Sequence, residues 1–276
     1  MDIDNIISVM KKTYGRDISI YDPAFLLHSM EKRWVATGVN NAGEYCNYLE
    51  KNNTEADVFY IFLHINYSQF FRNPLTFALL EQIVFPSIIA HKPEGSEIRI
   101  WSAGCAKGQE AYSLAMLLSD LAEACGKELR FRIFATDISR EALDAGMAGI
   151  YDQSAVQDVK IKHLNKYFTK QDKTYTTIPQ LRQSINFSVY DLLDLSTSNP
   201  PESIYGDFDI VMCCNLLIYY KPDLQQLIIN KLRKAMSTTG YLVTGEAEKS
   251  LVENVSKLKM IDVPAAVFKG NKRREI

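Results

Sequence analysis

The fold of this chain turns on the segment Trp101-Ser102-Ala103-Gly104-Cys105-Ala106-Lys107-Gly108-Gln109-Glu110. A continuously apolar run from Ile98 to Ser102 enters it, and a run with helical periodicity from Gln109 to Gly126 leaves it. Two glycines in a strand-to-helix turn let the backbone approach a ligand closely and leave the first helix amides free to bind it. The glycines stand four apart with no third in register, which excludes the dinucleotide fingerprint, and Lys107 precedes Gly108, which excludes a P-loop. A tight turn that holds no ligand has the same composition, so the segment alone leaves both readings open.

Outward from the turn, strand-like and helical runs alternate: Phe131 to Thr136, helix Ser139 to Gly146, Ile185 to Tyr190, Phe208 to Cys213, helix Pro222 to Met236, Tyr241 to Thr244 and Ala266 to Lys269. Strands that are apolar throughout, separated by helices, predict a mostly parallel, doubly wound α/β sheet covered on both faces, with ligands at the carboxyl ends of the strands. Asp137 ends the second strand, where an acid can accept from a ribose diol or can simply cap the next helix beside Ser139. Cys213-Cys214-Asn215-Leu216-Leu217-Ile218-Tyr219-Tyr220 follows the strand Phe208 to Cys213, making Asn215 and Tyr219 either site or packing residues. Leu164 to Phe187 fits the alternation poorly; its β-branched pieces predict a small antiparallel β insert at about 164–187.

The first ninety residues read as short helices. Asp22-Pro23 is an N-cap with proline at the first helical position, and Asn73-Pro74 repeats the device. Lys92-Pro93-Glu94-Gly95-Ser96 is the expected linker, giving a helical domain over 1–92 and an α/β domain over 93–276. Just before the second cap stands Asn66-Tyr67-Ser68-Gln69-Phe70-Phe71-Arg72, either a segment anchored over a pocket by its aromatics or a solvated turn with Phe70 and Phe71 in the core.

Nearly half the residues are apolar and the formal net charge is only −2, the balance of a soluble globular protein and not of a nucleic-acid binder. Asp2 and Asp4 occupy the place of a basic leader region, and no apolar run of membrane-spanning length is expected, so the cytoplasm is the expected location. The five cysteines form no CxxC pair and, with four histidines, offer no zinc spacing; they read as reduced thiols, and no metal is expected.

Together these pieces resemble the CheR family of chemotaxis protein-glutamate O-methyltransferases from Asn66 to the end of the chain. The family's N-x-[TS]-x-F-F-R is matched by Asn66 to Arg72, its W-S-A-G-C-S-T-G-E-E-P-Y-S-x-A by Trp101 to Ala115 with changes, its F-A-T-D-I by Phe134 to Ile138, and its C-R-N-x-x-I-Y-F by Cys213 to Tyr220. Gly245 to Glu248 is similar to its G-H-S-E, while Cys214, Ala106-Lys107 and Gln109 depart. The resemblance implies a small helical domain followed by a Rossmann-like methyltransferase domain using S-adenosyl-L-methionine, with S-adenosyl-L-homocysteine as product. The cofactor site it implies is Asn66, Ser68, Arg72, Glu110, Asp137, Asp191, Leu192, Cys214 and Asn215, with Arg72 and Tyr219 orienting the reacting groups.

The implied substrate is an acidic chemoreceptor-like protein, with no nucleic acid and no membrane insertion, although a receptor could hold the protein at a membrane. Residues 1–90 carry seven Lys or Arg against ten Asp or Glu, so the expected receptor-facing basic patch is small: Arg16, Lys32 and Arg33. Two other readings compete. One is a methyltransferase acting on nucleic acid or a small amine, and Asn199-Pro200-Pro201-Glu202 precedes the strand after which such enzymes carry their N/D-P-P-Y/F turn. The other is a cofactor-binding signalling module with impaired catalysis, suggested by Cys214 and Lys107.

Overall fold

The structure, a computed structural model, describes residues 2–65, 67–126, 129–255, 258–262 and 265–270. Packing divides it into two compact units, Met1–Ile65 with Leu217–Gln226, and Asn66–Leu216 with Leu227–Ile276.

The smaller unit holds α1 (Asp2–Tyr14), α2 (Pro23–Thr37), α3 (Ala42–Glu50) and α4 (Asn53–Leu63). Its starts follow local chemistry: Asp22 Oδ1 accepts from the Ala24 and Phe25 amides at 2.9 and 3.2 Å, and Asn41 and Asn52 cap α3 and α4 through the Glu44 and Glu55 amides. Ile6, Met10, Leu26, Met30, Tyr45, Leu49 and Phe59 form its core. Leu217–Gln226 joins this unit through two backbone bonds, Asp22 N–H to Tyr219 O at 2.8 Å and Lys221 N–H to Ile20 O at 3.2 Å. The expected basic patch is largely spent internally. Arg33 donates twice to Glu55, at 2.9 and 2.7 Å, Tyr45 donates to the same carboxylate, and Arg16 pairs with Asp57.

The larger unit begins with one continuous helical stretch, α5 (Pro74–Leu79), a π turn at Leu80–Val84 and α6 (Phe85–His91). Pro86 lacks an N–H and its ring would press on the carbonyl four residues back in a regular helix; the π turn, in which Phe85 N–H reaches Leu80 O, widens the helix there. This stretch is long and apolar enough by length and composition to cross a membrane, which corrects the expectation that no such run exists. Its Phe77, Leu80, Val84, Phe85 and Ile88 lie in the core of the larger unit. The same packing moves the unit boundary from the 92–96 linker to Ile65/Asn66. Asn73 differs from Asp22: it sits in the left-handed region at φ 60° and its side chain caps nothing.

Then follow β1 (Ile98–Ala103), α7 (Gln109–Cys125), β2 (Phe131–Asp137), α8 (Arg140–Ala148), β3 (Ile150–Asp152), α9 (Ile161–Tyr167), β4 (Phe168–Gln171), β5 (Thr174–Thr177), α10 (Pro179–Gln183), β6 (Ile185–Val189), β7 (Phe208–Cys213), α11 (Pro222–Ala235), β8 (Met236–Thr244), α12 (Lys249–Val255), β9 (Lys259–Asp262) and β10 (Val267–Lys269). The main sheet has the order β6-β2-β1-β7-β8-β10-β9; the first five strands run parallel, β10 runs antiparallel to β8, and β9 runs antiparallel to β10. This is the mostly parallel, doubly wound α/β fold read from the sequence. The chain order reverses between β1 and β7, and their carboxyl ends frame the crevice where such sheets bind ligands. The antiparallel insert is a second sheet, β3-β5-β4. It recruits Ile150–Asp152 and releases Ile185–Val189 to the edge of the main sheet, so its strands span 150–177.

Candidate functional site

The turn after β1 is built from three residues of positive φ, Gly104 (78°), Ala106 (47°) and Gly108 (84°). Gly104 and Cys105 N–H both donate to Thr136 O, at 2.8 and 2.9 Å, which lashes the turn to the end of β2. Gly108 is required on two counts: its φ, and the Phe187 ring, 2.9 Å from where a Cβ would stand. Ala106 has a Cβ in a region that disfavours one, and Asp137 Oδ2 holds it there by accepting its N–H at 2.9 Å. Asp137 Oδ1 accepts from Ser139 N–H at 2.9 Å, while Ser139 itself caps α8 through Ala142 N–H. Asp137 therefore serves the glycine turn and the α8 entry together, and a carboxylate with about four acceptor sites keeps capacity for further donors.

Beside this turn lies a small cleft of about 30 Å³, lined by Tyr67, Ser68, Gln69, Arg72, Asn73, Thr76, Phe77, Gly104, Glu110, Met212 and Cys214. The segment before α5 is anchored as the aromatic pair suggested. Phe70 is buried against Tyr151 and Phe168, with ring centroids 4.9 and 5.6 Å away. Phe71, at φ 52°, stacks on His163 at 5.3 Å and donates its N–H to Ser113 Oγ at 2.9 Å. Arg72 follows and reaches the cleft, its guanidinium 5.6 Å from the Tyr67 ring centroid. Both readings of the segment hold in part: Phe70 is core, and the polar residues around it line a cavity.

Glu110 enters from the first turn of α7. Ser102 Oγ donates to its Oε1 at 2.6 Å. Burial pushes its carboxyl above the ordinary range, opposed by hydrogen bonds from Ser102 and the Cys214 thiol and by the charge of Arg72, and reinforced by the charge of Glu248. Burial also pushes the Cys214 thiol well up, with Glu110 and Glu248 adding to it, so Cys214 is an uncharged wall of the cleft.

Of the nine expected cofactor residues, Ser68, Arg72, Glu110 and Cys214 line this cleft. Asn215 follows Cys214 at φ 58°, and its N–H donates to Glu248 Oε2 at 2.8 Å. Asp137 is tied to the adjoining turn but is not among the lining residues. Asp191 is exposed after β6, its Oδ1 accepting from Leu193 N–H, and Leu192 is buried; neither lines the cleft. Asn66 lies outside the described residues. Tyr219 belongs to the smaller unit, its ring 4.8 Å from that of Phe25. Sequence reasoning passed over Thr76, Phe77 and Met212, whose apolar or β-branched character within regular elements carries no signal of a cavity.

A ligand with both an ammonium and a carboxylate fits this lining, because Arg72 and Glu110 offer one charge of each sign. Thr76, in the cleft wall, has its Oγ1 buried without a hydrogen-bond partner among the described residues, a condition that a polar ligand relieves.

The family profile described as "CheR methyltransferase, SAM binding domain" matches residues 66–267. An "Uncharacterized 104.1 kDa protein in hypE 3'region" of Rhodobacter capsulatus is 34% identical over 246 residues, 89% of this chain but 25% of that protein. The chain thus spans about a quarter of that relative's length. The "Chemotaxis protein methyltransferase" of Borreliella burgdorferi is 28% identical over 90% of this chain and 87% of its own length. The protein of that name from Escherichia coli is 30% identical over 79% of this chain and 73% of its own length.

Proposed function

The chain belongs to the CheR methyltransferase family, and from that premise we propose that it esterifies glutamate side chains of an acidic chemoreceptor-like protein with the methyl group of S-adenosyl-L-methionine. The observation that carries this reading is the meeting of Arg72, Glu110 and Ser68 in one cleft at the switch point of the sheet. When bound, the cofactor supplies an electrophilic methyl group on a sulfonium. Glu110 would hold its ammonium, Asp137 its ribose, and Asp191 and Leu192 its adenine; Asn66, Ser68, Cys214 and Asn215 would complete the contacts. Arg72 would orient carboxylate groups in the cleft through its planar array of donors. Tyr219 is the second residue proposed to orient the reacting groups.

The substrate carboxyl, with an unperturbed pKa of about 4.3, is already ionised at neutral pH, so no general base is needed. The protein's own contribution is in-line positioning and exclusion of water. The reaction would take place in the cytoplasm, with membrane association only through the receptor. The test is transfer of labelled methyl from the cofactor into a receptor-containing membrane fraction, followed by mild alkali. Label released as methanol supports a carboxyl ester. Alkali-stable label, or label found only in nucleic acid, overturns the glutamate reading.

A further inference from the structure

We infer that Glu248 is a positioning residue of the cleft, clamping the carboxyl ends of β7 and β8 so that Cys214 and Asn215 are set against the bound cofactor; the inference rests on the cofactor reading above. β7 and β8 are parallel neighbours, with Cys213 opposite Thr244. Immediately beyond that pair the two chains touch: a Cβ on Gly245 would stand 2.7 Å from Asn215 Nδ2. Glu248 has no exposed surface. Its Oε2 accepts from Asn215 N–H at 2.8 Å and from Gly245 N–H at 2.7 Å, so one oxygen bridges the two strand ends. Asn215 sits in the left-handed region at φ 58°. Its Oδ1 is buried without a partner among the described residues.

A buried carboxylate carries an electrostatic consequence as well as a geometric one. Glu110 faces Ser102, Cys214, Arg72 and Glu248, and the buried thiols Cys105 and Cys213 feel its charge in turn. Glu248 adds negative charge to this group, and Glu110 must be ionised to hold an ammonium. Glu248→Gln keeps an oxygen for the two amides and removes the charge, so it should lower the Glu110 pKa and move the acid limb of cofactor affinity to lower pH. Glu248→Ala removes the clamp, and affinity should fall about tenfold or more at every pH, which is about 1.4 kcal/mol.

The experiment is calorimetric titration with S-adenosyl-L-homocysteine from pH 5 to 8 on the wild type and both variants. A second readout needs no ligand: alkylation of Cys214 by iodoacetamide, mapped by mass spectrometry in a Cys125→Ser background. Removing the Glu248 charge should speed it at pH 8, because that charge helps hold the thiol pKa up and a lower pKa raises the thiolate fraction more than it reduces nucleophilicity. A displaced acid limb in Glu248→Gln together with faster alkylation supports the inference. An unmoved limb with unchanged alkylation overturns the electrostatic part of the inference, and a folded Glu248→Ala that binds the ligand as the wild type does, or a Glu248→Gln that loses as much affinity as Glu248→Ala, overturns the clamp. Wild type that fails to bind the ligand while alkylation still responds to Glu248→Gln would overturn the cofactor reading and, with it, the positioning of Asn215 against that ligand.

Discussion

Replacing Asp137 by asparagine separates two duties of one side chain. The carboxylate accepts Ala106 N–H on one oxygen and Ser139 N–H on the other, both at 2.9 Å. An asparagine keeps one acceptor oxygen, so one of the two amides is orphaned. Ala106 is buried and held at φ 47° by this bond, so the loss costs about 1–3 kcal/mol of stability, the usual penalty for a buried donor without a partner. The second duty is proposed, acceptance from the ribose diol. Loss of a charged acceptor is worth about 1.5–3 kcal/mol, which weakens binding roughly 10- to 100-fold. Urea unfolding reads the first effect, and calorimetry with S-adenosyl-L-homocysteine, on protein that remains folded, reads the second. Reduced stability with unchanged affinity would remove Asp137 from the ribose and leave it only a turn residue. Unchanged stability would refute the turn-holding role itself.

Arg33→Ala leaves Glu55 buried with Tyr45 as its remaining hydrogen-bonding side chain, and should cost about 2–4 kcal/mol in urea unfolding; a loss below about 0.5 kcal/mol would show the pair to be unimportant. Asp120 accepts from Lys162, His163, Lys166 and Tyr167, and these donors, against the opposing effect of burial, hold its carboxyl well below the usual range. Its stabilisation is therefore full above the unfolded pKa of 3.8 and lost as pH falls through the lower folded value. Asp120→Asn should lower stability by about 1–3 kcal/mol at pH 7, with the gap to wild type narrowing in acid; a constant gap down to about pH 2 would contradict the linkage. Cys214→Ala should keep cofactor affinity within about threefold, roughly 0.65 kcal/mol, because the thiol is an uncharged wall beside Glu110; a tenfold loss in a folded variant would mean that the thiol itself binds.

The turn after β1 was legible because its chemistry is local: Gly104 and Gly108 mark positive φ, and the apolar run before them marks a buried strand. Asp22-Pro23 was legible for the same reason. Asn73-Pro74 has the same cap-then-proline pattern and a different conformation, since the strained Phe71 upstream is set by His163 and Ser113, more than forty residues away in the latter case. The boundary between the compact units is a related case. The sequence pattern gives Leu75, Leu79, Leu80 and Val84 as one apolar stripe, but not which core that stripe meets, and Leu75 is exposed. The return of Leu217–Gln226 to the helical unit rests on two backbone bonds and the Tyr21–Tyr220 stack, which leave no trace in composition. At the cleft, the polar residues Ser68, Arg72 and Glu110 announce themselves, whereas Glu248 is readable as a motif letter and not as a bridge between strand ends.

The π turn at Leu80–Val84 acts as a phase correction. One residue of α-helix is about 100° of azimuth and about 1.5 Å of rise. Thr76 and Phe77, on one side of the turn, line the cleft, while Phe85 and Ile88, on the other, fill the core. Deleting one residue between Leu80 and Val84 would leave the two halves in phase, whereas forcing all of these residues into a regular α-helix would swing the halves against each other by that azimuth. Either Ile88 or Thr76 would then face the wrong way, so this helix is tuned for rotation rather than for regularity, and its irregular turn sets the wall of the cleft from a distance of one to two helical turns.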